Sequence, residues 1–268
     1  MSAAPDLQTL VDAALNAANR GDSRRAVQAA EAAVAALQEA WQAPRPGVPP
    51  VVASAVVGTS LLNLGDLLLA FGAKPQARAC LEQAVALLER AYTPDAVELG
   101  AALVRLGEML AADGEAVAAE PVLQRALAIF TLAGGSDDLR VAHVFGVLSI
   151  AALTLGRPEE AAAFAGRALA ILGDAVDAGL EVAHLWNTVG AATALAGRPR
   201  EAAAAWRRAL QLAAAVTGEE AAALGRMAIA SLQQLAAADR GMDEAELLAH
   251  RRRLGLAPGT AGSPPPGR

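Results

Sequence analysis

Four glycines constrain this chain more tightly than any other feature. Gly72 (AFGAKPQA), Gly114 (ADGEAVAA), Gly156 (TLGRPEEA) and Gly197 (LAGRPREA) each follow an Ala/Leu-rich run and precede the polar start of another, and they stand 42, 42 and 41 residues apart. A fixed period of this length marks a repeat architecture, in which one repeat cannot bury its apolar face alone and must stack on its neighbours. Each repeat reads as a helix, a Gly-centred turn, a second helix of similar length and a short loop. The turn chemistry agrees, since Gly suits the end of a helix and Pro158 or Pro199 the first turn of the next, where a missing N–H costs little. An earlier copy runs from Leu10 through Gly21 to Trp41. Its longer step of 51 residues to Gly72 is taken up by a Pro-rich loop at 43–50. Downstream, 219–238 reads as the first helix of a sixth, degenerate repeat and 242–254 as a shorter, charged second helix. A polar terminal helix of that kind caps a stack. The expected organisation is therefore a flexible N-terminus at 1–5, an α-solenoid at 6–254 and a disordered Pro/Gly-rich tail at 255–268.

Composition supports helices over sheets. Hydrophobic residues make up 54% of the 268 residues but aromatics only 3%, so the core must be built from Ala, Leu and Val in closely packed helices. A sheet would need more β-branched and aromatic residues. Mean hydropathy of +0.34 raises the question of a membrane. The longest uncharged stretch, 46–65, opens on Pro46, Pro49 and Pro50 and contains Ser54, Thr59, Ser60 and Asn63, which reads as too short and too polar to span a bilayer. No secretion signal is evident at the N-terminus, and the single cysteine, Cys80, suits a reducing compartment, so the expected location is cytoplasmic. A net charge of −6 has the wrong sign for gripping a phosphate backbone. Neither nucleic acid nor membrane is the expected partner.

Within each repeat, small and large residues fall in fixed slots. The second repeat places Leu61, Leu64-Gly65 and Leu68 on its first helix and Ala77, Leu81 and Ala84 on its second. The third does the same with Leu103, Leu106-Gly107, Leu110, Ala119, Leu123 and Ala126. The fifth uses Trp186, Val189-Gly190, Ala202, Trp206 and Ala209. The first and fourth put Ala14 and Ser149 where the others have Gly, and Ala30 and Ala165 in the bulky slot. This pattern resembles the tetratricopeptide repeat. The period is longer than the standard 34 residues, by about one turn per helix, and with LLNLG at 61–65 it is similar to the repeats of kinesin light chains and of many bacterial interaction proteins. The resemblance implies an all-α fold, a right-handed superhelix of antiparallel helix pairs, and a non-catalytic module that binds a peptide or helical segment of a protein partner. A sensor of a small peptide or metabolite, and a scaffold that self-associates as a homodimer, are the alternatives it leaves open.

In that family the first helix of each repeat lines the concave surface. The inner stripe would then present Asn63 and Asp66, Arg105 and Glu108, His143, Ile150 and Leu153, and His184 and Asn187. Asn63 and Arg105 occupy slots that relatives use to hold a C-terminal carboxylate, for which an amide and a guanidinium are suited. Val11, Leu15 and Ala101 stand where the rest of such a clamp belongs, so a complete clamp is absent, and Arg105 can instead pair with Asp66 or Glu108. The first helices of the fourth and fifth repeats, VAHVFGVLSIAALTLG and VAHLWNTVGAATALAG, contain no Asp, Glu, Lys or Arg. They form either an apolar trough for a partner or simply a packed interior. In the trough reading Asn63 and Asn187 fix a peptide backbone while Ile150 and Leu153 receive apolar side chains.

The remaining chemistry is sparse. The sequence holds no phosphate-binding loop, dinucleotide fingerprint, H-E-x-x-H or G-x-S-x-G. His143 and His184 share one slot in successive repeats, but two histidines make at most half a metal site. No cofactor, metal or catalytic residue is expected. Trp186 and Trp206 read as core, Cys80 as a buried inert thiol, and His250 with Arg251, Arg252 and Arg253 as a solvated cap.

Overall fold

The computed structural model describes residues 7–42, 49–173 and 179–239. These form eleven helices and, among the described residues, no strand: α1 (Leu7–Asn19), α2 (Ser23–Gln42), α3 (Pro50–Ala70), α4 (Lys74–Ala91), α5 (Val97–Ala112), α6 (Ala116–Gly134), α7 (Leu139–Thr154), α8 (Pro158–Leu172), α9 (Gly179–Leu195), α10 (Pro199–Ala214) and α11 (Glu219–Asp239). The expected N-terminus at 1–5, most of the loop at 43–50, the capping helix at 242–254 and the tail at 255–268 lie outside the described residues.

Five helix pairs and an eleventh helix match the repeat read from the glycines. Gly21, Gly72, Gly114, Gly156 and Gly197 all take a left-handed φ between 70° and 80°. Each closes its first helix in the same way. In the third repeat, Gly114 N donates to Ala111 O at 3.1 Å and Glu115 N to Leu110 O at 2.8 Å; in the fourth, Gly156 N donates to Leu153 O and Arg157 N to Ala152 O. This paired reverse bond satisfies carbonyls that the helix end would leave unpaired, and it needs a residue without Cβ at the turn.

The chain divides into two compact units, Met1–Asp138 and Leu139–Arg268. In the N-terminal unit α1 packs on α2, α3 on α4 and α5 on α6, while α2 and α4 also pack on the first helix of the following repeat. Its core is alanine-rich at the start, with Ala14, Ala26, Ala30 and Ala33 fully buried beside Leu37. It becomes leucine-rich further on, with Leu61, Leu68, Leu81, Leu88, Leu99 and Leu123, and includes Ile129 and Phe130 in α6. In the C-terminal unit α7 pairs with α8 and α9 with α10, and α9 also contacts α7 and α11. Leu148, Leu210, Leu224 and Leu232 are its most enclosed large side chains.

The packing slots explain one departure from expectation. Leu61, Leu103, Phe145 and Trp186 are equivalent positions of successive repeats, 1%, 3% and 8% exposed for the first three, whereas Trp186 is only half-buried. As the side chain in this slot grows, its outer edge stays in solvent. Trp206 is buried as expected.

By length and apolar composition alone, α3 and α6 are each sufficient to cross a membrane. That was not anticipated from residues 46–65, because α3 runs on past Gly65 through Leu67, Leu68 and Leu69. Both helices are committed to their own repeats. Helix α3 buries Val57, Leu61, Leu64 and Leu68 with α4 as its main contact, and α6 buries Leu123, Ala126, Ile129 and Phe130 with α5 as its main contact.

Candidate functional site

On the N-terminal unit, the candidate residues fall on α3 and α5. Asn63 is exposed, and Asp66, three residues on, is half-buried. Arg105 reaches from α5 to both carboxylates: its Nε lies 3.3 Å from Asp66 Oδ2 and its Nη1 3.1 Å from Glu108 Oε2. Partial burial raises the Asp66 carboxyl above its ordinary range; Arg105 opposes this and Glu108 adds to it. Burial pulls the Arg105 guanidinium down, but Asp66 and Glu108 outweigh it and hold the group above its usual value. The guanidinium fork is thus directed at two carboxylates within the unit. Val11 is half-buried, Leu15 and Ala101 are exposed, and none of the three brings an amide or a cation to the carboxylate-clamp slots.

On the C-terminal unit, most of the charge-free sequence is packed. Nine residues of α7 are buried, among them Val141, Val144, Phe145 and Leu148. Buried hydroxyls are satisfied by their own helices: Ser149 Oγ donates to Gly146 O at 2.6 Å and Thr193 Oγ1 to Val189 O at 2.7 Å. What remains outside is a narrow stripe with helical spacing. It consists of His143, Gly146, Ile150 and Thr154 on α7, repeated 41 residues later as His184, Asn187, Ala191 and Leu195 on α9. Ile150 is 47% exposed and Leu195 66%. Leu153 does not belong to this stripe. It packs with Ala162 and Phe164 against the buried cluster of Ala152, Ala161 and Ala192.

The two histidines do not meet each other; each reaches to the next first helix. His143 Nδ1 lies 3.3 Å from Glu181 Oε1 on α9, and His184 Nε2 lies 3.6 Å from Glu220 Oε1 on α11. Sequence reasoning missed both glutamates, because the pairing depends on how far one first helix is offset against the next. Leu195 was legible, since it shares Thr154's slot. Asn187 is half-buried, and its Oδ1 is enclosed without a hydrogen-bond partner. Among the described residues no group of three or more His, Cys, Asp or Glu is placed to hold a metal. Cys80 is 2% exposed, and burial pushes its thiol up to about 11, which leaves little thiolate at neutral pH.

Two stretches of the chain, 57–95 and 98–174, match tetratricopeptide repeat families. The fold is shared with BtubC (BKLC) from P. vanneervenii, at 19% identity, covering 90% of this chain and 96% of that one with a TM-score of 0.65. It is shared with a putative kinesin light chain of nearly identical TPR-like repeats from Podosopora anserina, at 20% identity, 78% and 95% coverage and a TM-score of 0.61. A third similar structure is the MamA protein, at 19% identity, 77% and 91% coverage and a TM-score of 0.52. No curated protein matches the sequence. Paired antiparallel helices closed by left-handed glycines at a period of about 42 residues define an α-solenoid. Residues 57–95 and 98–174 are tetratricopeptide repeats, a repeat class that serves generally as a scaffold for protein interactions.

Proposed function

We propose that this protein is a non-catalytic adaptor that holds a peptide or helical segment of a partner along the exposed stripe of α7 and α9. The observation that carries the reading is Ile150. It is a large aliphatic side chain, 47% exposed, on a helix whose other apolar residues are largely packed. Ala191 and Leu195 continue the apolar surface on α9, while His143 and His184, with their glutamates, give it a polar edge. Burying one aliphatic side chain of a partner against such a surface contributes about 1.5–3 kcal/mol, so two or three anchors supply about 3–9 kcal/mol, which before association costs spans millimolar to micromolar binding. Arg105 does not serve as a carboxylate anchor in this reading, because its fork is already occupied.

Ile150→Asp tests it. The position is solvent-facing, so the variant should keep the wild-type melting curve while losing the partner in parallel pull-downs from the source organism's lysate. Recovery of the same proteins by both forms refutes the stripe as the site. Leu153→Asp serves as the contrast, because it places a charge against Ala152, Ala161 and Ala192 and should lower the melting temperature.

A further inference from the structure

The second helices of the C-terminal unit carry a surface of different chemistry. In the N-terminal unit three second-helix cations are tied to acids of an adjoining repeat: Lys74 to Asp113 at 2.8 Å, Arg78 to Glu115, and Arg125 to Glu89. The C-terminal unit pairs its arginines differently. Arg157 takes Glu160 and Arg198 takes Glu201, each three residues away in the same turn. Arg167, Arg200 and Arg208 have no carboxylate among the described residues, and Arg167 lies instead over the Phe145 ring at 5.5 Å. Arg167 and Arg208 occupy the slot of Arg125 in successive repeats, but the positions equivalent to Glu89 in the repeats before them are Thr131 and Gly173.

We propose that the outer face of α10, together with Arg167 on α8, docks an acidic peptide segment of a partner protein. Arg200 and Arg208 are exposed two turns apart on one face of α10, with half-buried Arg207 beside them. On the same two helices Ala163, Gly166, Ala170 and Ala204 are small and exposed, so these positions present no bulky side chain to an approaching extended chain. Glu159 is the one acid on α8 and α10 that Arg157 and Arg198 do not engage. Arg200 also sits in the first turn of its helix, where the macrodipole disfavours a cation, so helix stability does not account for it. Guanidinium groups donate to carboxylates in bidentate geometry, which favours Asp and Glu side chains as the matching chemistry. The chain's overall charge of −6 does not oppose this, because docking responds to the local field within about a Debye length, roughly 8–10 Å.

The test is fluorescence anisotropy of a labelled oligoglutamate peptide titrated with the full chain at low ionic strength. Saturable binding that weakens with salt is expected, with an affinity reduced about tenfold or more by the double variant R200E/R208E. R24E/R90E removes the same charge from exposed helix ends in the other unit and should leave the affinity within about twofold. Ile150→Asp should also leave it unchanged, so failure of the apolar stripe and failure of this surface give separate results. Equal loss in the two charge-reversal doubles, or no binding at all, overturns the proposal. Tighter binding of a single-stranded oligonucleotide or polyphosphate of equal charge overturns the assignment to an acidic peptide. Circular-dichroism melts of each variant confirm that the fold is intact.

Discussion

Sixteen residues separate three of the helix-contact glycines from the side chains they accommodate: Gly65 from Leu81, Gly107 from Leu123, Gly190 from Trp206. A Cβ at Gly107 would come within 2.5 Å of Leu123 Cδ2, and one at Gly190 within 2.5 Å of the Trp206 indole. The same spacing joins Ala14 to Ala30 in the first repeat and Ser149 to Ala165 in the fourth, all four fully buried. Two sizes of pair therefore fill one kind of space, a large residue facing none or a small residue facing a small one. Read slot by slot, Ser149 and Ala165 look like two departures from the repeat; read across the helix contact they are one exchange that keeps the volume. The exchange should be transferable. Gly190→Ser alone overpacks a rigid indole and should cost about 1–3 kcal/mol in urea denaturation, and Trp206→Ala alone about 3–5. In the Trp206→Ala background the serine should cost nothing further, giving a coupling energy of at least about 1 kcal/mol. Additive losses would show that the two positions do not share that space.

At the scale of the element, the helices and their ends were legible because two independent signals agreed, the apolar period along each helix and a glycine just past its end. Gly156 is the cleanest case. Its φ is +70° and a Cβ there would meet nothing within 4 Å, so Gly156→Ala isolates the backbone cost of a left-handed residue. A loss of about 1–2 kcal/mol is expected by urea denaturation, with the m-value unchanged. A neutral result would mean that the turn rearranges instead of tolerating strain. The candidate site was less legible, for a reason internal to α7 and α9. A first helix covered by its own second helix and by the neighbouring repeat is apolar over most of its circumference, so hydrophobicity no longer marks which residues face solvent. Leu153 and Ile150 are equally apolar and three residues apart, yet Leu153 packs on Ala152 and Ala192 while Ile150 faces out. Coverage does not account for α3 and α6, whose membrane-like windows are only 44% and 33% buried and which leave Val51, Val52, Val56, Val117 and Leu132 exposed. The charged contacts divide similarly: the Arg105 pairing with Asp66 and Glu108 followed from slot spacing, whereas the reach of His143 to Glu181 depended on an offset between helices that spacing alone does not set.

Across the molecule, the repeats share one plan but not one core, and the consequence is an uneven distribution of stability. Among the residues whose burial is described, the first repeat buries Ala14, Ala17, Ala26, Ala30 and Ala33 with one leucine, Leu37, while the third buries Leu99, Leu103, Leu110, Leu123, Ile129 and Phe130. Alanine places its helices close together but removes little apolar surface from water, whereas each fully buried large aliphatic or aromatic side chain contributes about 1.5–3 kcal/mol. In a solenoid, stability is approximately a sum of repeat and nearest-neighbour terms, so a weak repeat can open while a stronger one stays closed. Native-state hydrogen exchange of the N-terminal unit should therefore find amides of α2 near Ala30 and Ala33 less protected than those of α6 near Ala126, by an order of magnitude or more. Both sets are enclosed and helical, so local exposure cannot produce the difference. Equal protection in α2 and α6 would mean that the interface of α2 with α3 couples the first repeat to its neighbours strongly enough for the unit to open only as a whole. In that case the alanine-rich core is held by its neighbour, and lengthening Ala30 to Val in the presence of Ala14→Gly should raise global stability and not merely local protection, because it rebuilds in the first repeat the large-facing-none pair that Gly65 and Leu81 form in the second.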